Sequence, residues 1–385
     1  MRANVLAVLL SILVSGIFVS PVLSDEPFFE QTDVFVNGGR AYYRIPSLVV
    51  SKDGTILALA NRRVGSGADG LPETHLVLRR SLDNVKTWLP IQDLFAREGW
   101  GGSIGSAIKD DTTGMIMVTY HRNPGTDAAI TQAKKDKEED GAFIARSMDS
   151  GETWTHEKLI LKPNDMGKLG GCHGSGPGIT LQFGSKKGRL LIPAFFTAKR
   201  RQDLETRKKH QYSCAIYSDD HGRTWKTSGP AQVGTDESCL AEISSGEIYL
   251  NSRTNLRDYK RRTAWSYNGG ETFTDIGIEP ALIEGADGCN ASIVRYPERL
   301  SNGKTLLIFS NPANVPKKRR RMTVFLSFDE GKTWPVSRLI HQGYSSYSAL
   351  AVSSDGTIYC LYEVDDKIVL ACFNLAWVTD DIKKF

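Results

Sequence analysis

The chain lacks CxxC, HExxH and any other ligand-like spacing among its seven histidines and six cysteines, so nothing in it points to a bound metal. After residue 24 no stretch is apolar for long enough to span a bilayer, which argues against stable membrane insertion. No linker or low-complexity tract divides the chain. Its strongly basic run, Lys199 to His210, lacks interleaved aromatics and any nucleic-acid motif, so it reads as a surface loop. The mixed-charge run Lys134 to Asp140 is likewise expected to be a solvated loop.

What is present begins with a leader. Arg2 precedes an apolar run from Val5 to Val19, with small residues near Ser24, and residues 1–24 read as a secretory signal peptide. Residues 25–385 are expected to be a secreted, periplasmic or lumenal monomer. An exported chain allows disulfides, and Cys360 and Cys372 flank one probable turn, though six cysteines allow fifteen pairings and buried thiols are as good a reading. Asn290-Ala291-Ser292 is a glycosylation sequon, meaningful in a eukaryotic source.

The dominant signal is a repeat. Ser147-Met148-Asp149-Ser150-Gly151-Glu152-Thr153-Trp154 recurs from Ser218 to Trp225 and from Ser327 to Trp334. Weaker copies run from Ser81 to Trp88 and from Ser266 to Phe273. Such a phrase suits a tight hairpin turn: Asp accepts backbone N–H groups, Gly takes a positive φ, and the aromatic packs beneath. Copies 66, 71, 48 and 61 residues apart mark a repeated supersecondary unit. The expected fold is all-β: a six-bladed β-propeller of four-stranded antiparallel blades, one blade lacking its signature turn. These turn residues are scaffold.

Before the first copy stands Tyr42-Tyr43-Arg44-Ile45-Pro46-Ser47, a strand with Arg near its start. Alone, such an arginine is usually an ion-pair partner. Its place before an apolar strand makes it a candidate for a central mouth. Tyr-Arg-Ile-Pro followed by repeated S-x-D-x-G-x-T-W resembles the sialidase (neuraminidase) family of exo-glycosidases, from about Phe35 to Trp377.

That resemblance implies a set of roles. Arg44, Arg253 and Arg319 would clamp the substrate carboxylate, with Arg320 or Arg321 open as the third clamp by a slip of register. Tyr347 would be the nucleophile, Tyr344 being a lesser candidate. Glu237 would be its partner, with Glu242 the weaker choice. Asp69 would be the general acid/base, in a loop where Asn61 replaces the family's usual acidic residue. Arg63, Trp100 and Phe195 are candidates to line the substrate site, Trp100 being equally suited to the core. The loops Cys172 to Ile179 and Gly288 to Ser292 resemble glycine-rich and site-mouth loops of the family.

The chemistry fits those residue types. Guanidinium groups stay charged and grip a carboxylate through two parallel hydrogen bonds. An ionised Asp or Glu attacking beside that carboxylate would be repelled, whereas a neutral Tyr relieved of its proton by Glu237 is not. The implied activity is exo-α-sialidase, retaining, with no cofactor and with sialylated glycans as partners. Trans-sialidase or intramolecular trans-sialidase chemistry would use the same set. A non-catalytic sialoglycan-binding propeller would need only the clamp.

Overall fold

The computed structural model describes residues 26–136, 140–171, 176–198, 210–256, 258–285, 288–313 and 318–380. These residues form antiparallel strands almost throughout, with helices at Asp127–Asp136 and Leu375–Thr379. The leader, the loop residues Cys172 to Ser175 and most of the basic run from Lys199 lie outside the described residues.

The repeated turns are built from side-chain bonds. Asp149 accepts the Ser147 hydroxyl at 2.7 Å and the Thr153 N–H at 2.9 Å on Oδ1, and the Thr153 hydroxyl on Oδ2 at 2.5 Å. Ser147 Oγ in turn accepts the Gly151 N–H at 2.8 Å. The copies at Asp83, Asp220, Asn268 and Asp329 repeat the bond to the Thr N–H four residues on. The turn needs two successive left-handed residues, not glycine alone: Ser150 has φ 54° and Gly151 φ 82°. Where Val85 replaces the glycine it is held at φ 69°, a costly conformation for a β-branched residue.

Strands inside the sheets are buried on both faces. Ile358–Glu363 and Thr305–Pro312 are buried at every position. Cores therefore lie between neighbouring sheets. Val34, Leu48 and Ile56 pack with Leu361, Ile368 and Leu370. Each such side chain contributes about 1.5–3 kcal/mol by leaving water. The inner strands meet side by side in a closed ring: Ala41–Val50, Trp100–Lys109, Ile179–Thr180, Thr235–Glu242, Ser292–Arg299, Ser348–Val352, and back to the first. Phe29–Val36 pairs with Lys367–Phe373, so the two ends of the domain close one sheet.

The class is an all-β propeller, but the expected six four-stranded blades are not what the hydrogen bonding forms. Among the described residues four sheets stand separately, three of four strands and one of five, and eight strands between Ala41 and Lys158 make one continuous sheet. The eight-stranded sheet arises because Thr74 meets Gly101 in a parallel bridge. The close approach depends on Gly102, where a Cβ would lie 2.9 Å from the Thr74 carbonyl oxygen. Its two halves fold over a shared core of Leu57, Leu59, Leu76, Ile104, Ile116 and Val118. The fifth strand elsewhere is Leu161–Lys162, pairing parallel with Trp225–Thr227.

A second correction concerns Lys134 to Asp140. Lys134, Lys135 and Asp136 form the exposed last turn of helix Asp127–Asp136, whose Ala129 and Ala133 cover Trp100.

Candidate active site

One face of the ring gathers the candidate residues from four sheets. Arg44 and Glu237 lie early in the inner strands Ala41–Val50 and Thr235–Glu242, and Tyr347 immediately precedes Ser348–Val352. Arg253 is the next-to-last residue of the returning strand Ile248–Thr254, and Arg319 precedes Arg320–Ser327. Both inner strands lose register here, between Arg44 and Ser47 and between Thr235 and Ser238. Such bulges re-aim side chains. At the first of them Ile45 is forced to φ 59°, which turns its N–H onto Glu363 Oε1 at 2.7 Å. Strain of this kind persists only where the surroundings over-determine it.

A cavity of about 270 Å³ is lined by Arg44, Ile45, Asn61, Arg63, Asp69, Ser103, Glu237, Arg253, Arg319 and Tyr347. At its floor Tyr347 Oη donates to Glu237 Oε1 at 2.6 Å. Arg253 Nη1 donates both to Glu237 Oε2 at 2.6 Å and to Tyr347 Oη at 2.9 Å. Burial drives the Tyr347 phenol well above its ordinary range, and the Glu237 charge adds to this against Arg253 and Arg319. Glu237 is also pushed up, first by burial, with Arg253 opposing. A carboxylate so raised is a stronger base toward a hydroxyl 2.6 Å away.

The arginines are held from behind. Arg44 Nε donates to Glu363 Oε1 at 2.8 Å, and that ion pair raises its guanidinium although burial alone would lower it. Arg319 donates to Ser346 Oγ and to the Gly288 carbonyl, each at 3.0 Å, and its guanidinium lies 5.6 Å from the Tyr347 ring centre. Arg320 and Arg321 do not line the cavity, and Arg321 bonds Gln342 instead. Of the three, Arg319 is the one in the cavity lining. Asp69 stands at the mouth with its side chain 88% exposed, tied to Arg63 Nη2 at 2.6 Å. Arg63 also donates to the Gly67 carbonyl, so it shapes the loop that carries Asp69.

Other candidates fall elsewhere. Trp100 is 1% exposed, packed under the helix with Arg97 over its ring, and is absent from the cavity wall. Phe195 lines another cavity with Lys168, Leu169 and Thr197. Glu242 lies at the far end of Glu237's strand, bonded to Arg295 and to the N–H groups of Gln182 and Phe183. Tyr344 is 39% exposed. Asn290 is 1% exposed, so the sequon is closed to glycosylation in the folded chain. Cys239, Cys289, Cys360 and Cys372 are free thiols, Cys360 pairing across the ladder with Ala371 and Cys372 with Tyr359.

Reading the sequence missed Glu363. It accepts the Arg44 guanidinium and the Ile45 N–H on one oxygen and the Tyr347 N–H on the other at 3.3 Å. An acid ending the apolar run Ile358 to Tyr362 was the available signal, because a buried carboxylate needs partners.

Fold, turns and central cavity define a BNR-type propeller, and the chain belongs to the family described as "BNR repeat-like domain", which matches residues 54–360. Within that class its relatives make it a member of the sialidase family. It is 34% identical over 374 residues to a sialidase of Micromonospora viridifaciens, covering 92% of this chain and 55% of that protein. It is 28% identical over 383 residues to Sialidase-2 of Cricetulus griseus, covering 92% of this chain and 96% of that one. The solved Hadza microbial sialidase Hz136 matches with a TM-score of 0.71 at 29% identity, covering 88% of this chain and 66% of that chain. The chain therefore spans little more than half of the Micromonospora protein and nearly all of the Cricetulus one.

Proposed function

We propose that the protein is an exo-α-sialidase, releasing terminal sialic acid from glycoproteins, glycolipids and oligosaccharides by a retaining double displacement. The observation that carries this reading is the Glu237–Tyr347–Arg253 triangle, at 2.6, 2.6 and 2.9 Å, on the floor of a cavity that Arg44 and Arg319 also line. Three guanidinium groups facing one small cavity suit a substrate whose anomeric carbon bears a carboxylate.

In the first step Tyr347 Oη bonds to the anomeric carbon as its proton passes to Glu237. The glycosidic C–O bond breaks, and Asp69 in its acid form protonates the departing oxygen. In the second step Asp69, now the base, takes a proton from water. Water oxygen bonds to the anomeric carbon, and the Tyr347 C–O bond breaks with return of the proton from Glu237. Asp69 at the exposed mouth is suited to this exchange with the leaving group and with water.

The direct test is incubation with sialyl-lactose, following product by proton NMR. Free sialic acid appearing first as the α-anomer is expected. A folded protein that releases none, or releases the inverted anomer first, overturns the reading.

A further inference from the structure

Behind the cavity lies a second arginine–glutamate pair, out of reach of any substrate. Arg261, on the strand Lys260–Ser266, has no exposure, and Glu284 is 1% exposed. Against apolar packing a buried ion pair adds little or nothing to stability. Its bonds indicate a different role.

Arg261 Nη1 donates to Glu284 Oε1 at 2.6 Å and to the Cys289 carbonyl at 2.8 Å, so one guanidinium ties residues 284 and 289 together. Its other nitrogens hold the Asn251 side chain at 2.6 Å and carbonyl at 3.3 Å, two positions before Arg253. Glu284 Oε2 accepts the N–H of Thr254, the residue after Arg253, at 3.1 Å. Between the tied positions, Gly288 presses on one clamp arginine and bonds the other. A Cβ there would lie 2.6 Å from Arg253 Cγ, while the Gly288 carbonyl accepts from Arg319 at 3.0 Å. Gly285 lies equally close to the backbone entering Arg319: its Cβ would come within 2.5 Å of the Lys318 carbonyl.

We propose that Arg261, through Glu284, is a positioning residue of the carboxylate clamp. It fixes the segment on which Gly288 sits, and Gly288 sets the separation of Arg253 and Arg319. Affinity for a carboxylate-bearing sugar thus depends on a side chain that never touches it. The inference rests on the sialidase reading and deepens it.

The probe is the sialic acid glycal, 2-deoxy-2,3-didehydro-N-acetylneuraminic acid, with Kd measured by calorimetry. Arg261→Lys keeps the charge but cannot bridge Glu284, Cys289 and Asn251 together, and it should weaken Kd about tenfold while the protein stays folded. In an Arg319→Ala background the same change should cost less than about twofold, because a clamp already broken cannot be mispositioned. Equal losses in both backgrounds, or an unchanged Kd in folded Arg261→Lys, overturn the proposal. Should Arg261→Lys fail to fold, the apolar double variant R261M/E284L removes both charges together and so leaves neither buried and unpaired. It should still bind the glycal weakly, and native-like binding there overturns the proposal. Native protein that neither binds the glycal nor releases sialic acid defeats the sialidase reading itself, a result separate from any loss confined to the variants.

Discussion

Asp149 and Glu237 are both carboxylates that accept a hydroxyl and a second donor, yet they are driven in opposite directions. The Thr153 hydroxyl and N–H and the Ser147 hydroxyl hold Asp149 down to about 2, on a turn that water reaches. Glu237 is raised because burial outweighs Arg253 and the Tyr347 hydroxyl. Donor count is similar; hydration differs. An exposed carboxylate with several donors becomes a fixed anion that staples a hairpin. A buried one keeps a useful affinity for protons, which suits it to the base role proposed for Glu237. The repeat and the mouth of the ring use one chemical group for two ends, and desolvation decides which.

If that division holds, damage at the mouth should remove turnover without touching stability. Tyr347→Phe deletes one oxygen and almost no packing volume. A kcat loss of about 10³-fold or more is expected with an unchanged thermal midpoint, read by steady-state assay and calorimetry. Near-normal turnover would move the nucleophile elsewhere.

Asp69 sharpens the comparison, since it is as exposed as a turn carboxylate but sits at the cavity. A sugar leaves as a poor alkoxide, so Asp69→Ala should cost about 10²–10⁴-fold in kcat/KM on sialyl-lactose. An aryl sialoside leaves as a stabilised phenolate, and the loss there should be much smaller. Equal fractional losses on the two substrates would remove Asp69 from the acid/base role.

Arg319→Lys keeps a charge facing the cavity and loses the fork that bonds Ser346 and Gly288. A rise in KM of about 10–10²-fold is expected, the worth of one charge-assisted hydrogen bond. Arg320→Lys and Arg321→Lys, outside the cavity, should change KM less than about twofold. The reverse pattern would shift the clamp's register.

How much of this was legible follows the same division. The turns could be read from sequence because each is local: Ser147, Asp149, Gly151 and Thr153 bond one another within a few residues. The individual site residues are single letters in different sheets, and only the Tyr-Arg-Ile-Pro block and family resemblance drew them together. Glu363 escaped because its partners Arg44 and Ile45 lie more than 300 residues away in the chain. The merged eight-stranded sheet escaped for a related reason: one bridge between Thr74 and Gly101 leaves no periodic mark. Trp100 could have lined a pocket or a core on its letters alone, and the helix that buries it ends in a charged run that reads as a loop.

The smallest expected effect falls on the turn itself and tests its half of the comparison. The folded pKa of Asp149, about 2, lies below its ordinary value of 3.8, so folding favours the ionised form. Its contribution to stability is therefore full above the ordinary carboxylate range and disappears as pH falls through the folded value. Because the group is almost fully exposed, solvent screening cuts the electrostatic part heavily. What remains is the loss of the turn's hydrogen bonds, about 1 kcal/mol. Asp149→Ala should accordingly lower the thermal midpoint by about 1–2 degrees at pH 6 while leaving kcat and KM unchanged. The gap between variant and native protein should narrow steadily from pH 4 toward pH 2, where the native carboxylate also takes up its proton. A gap that stays constant across that interval would mean that the ionised oxygen atoms contribute nothing to the hairpin, and that Ser147 and Gly151 hold it alone.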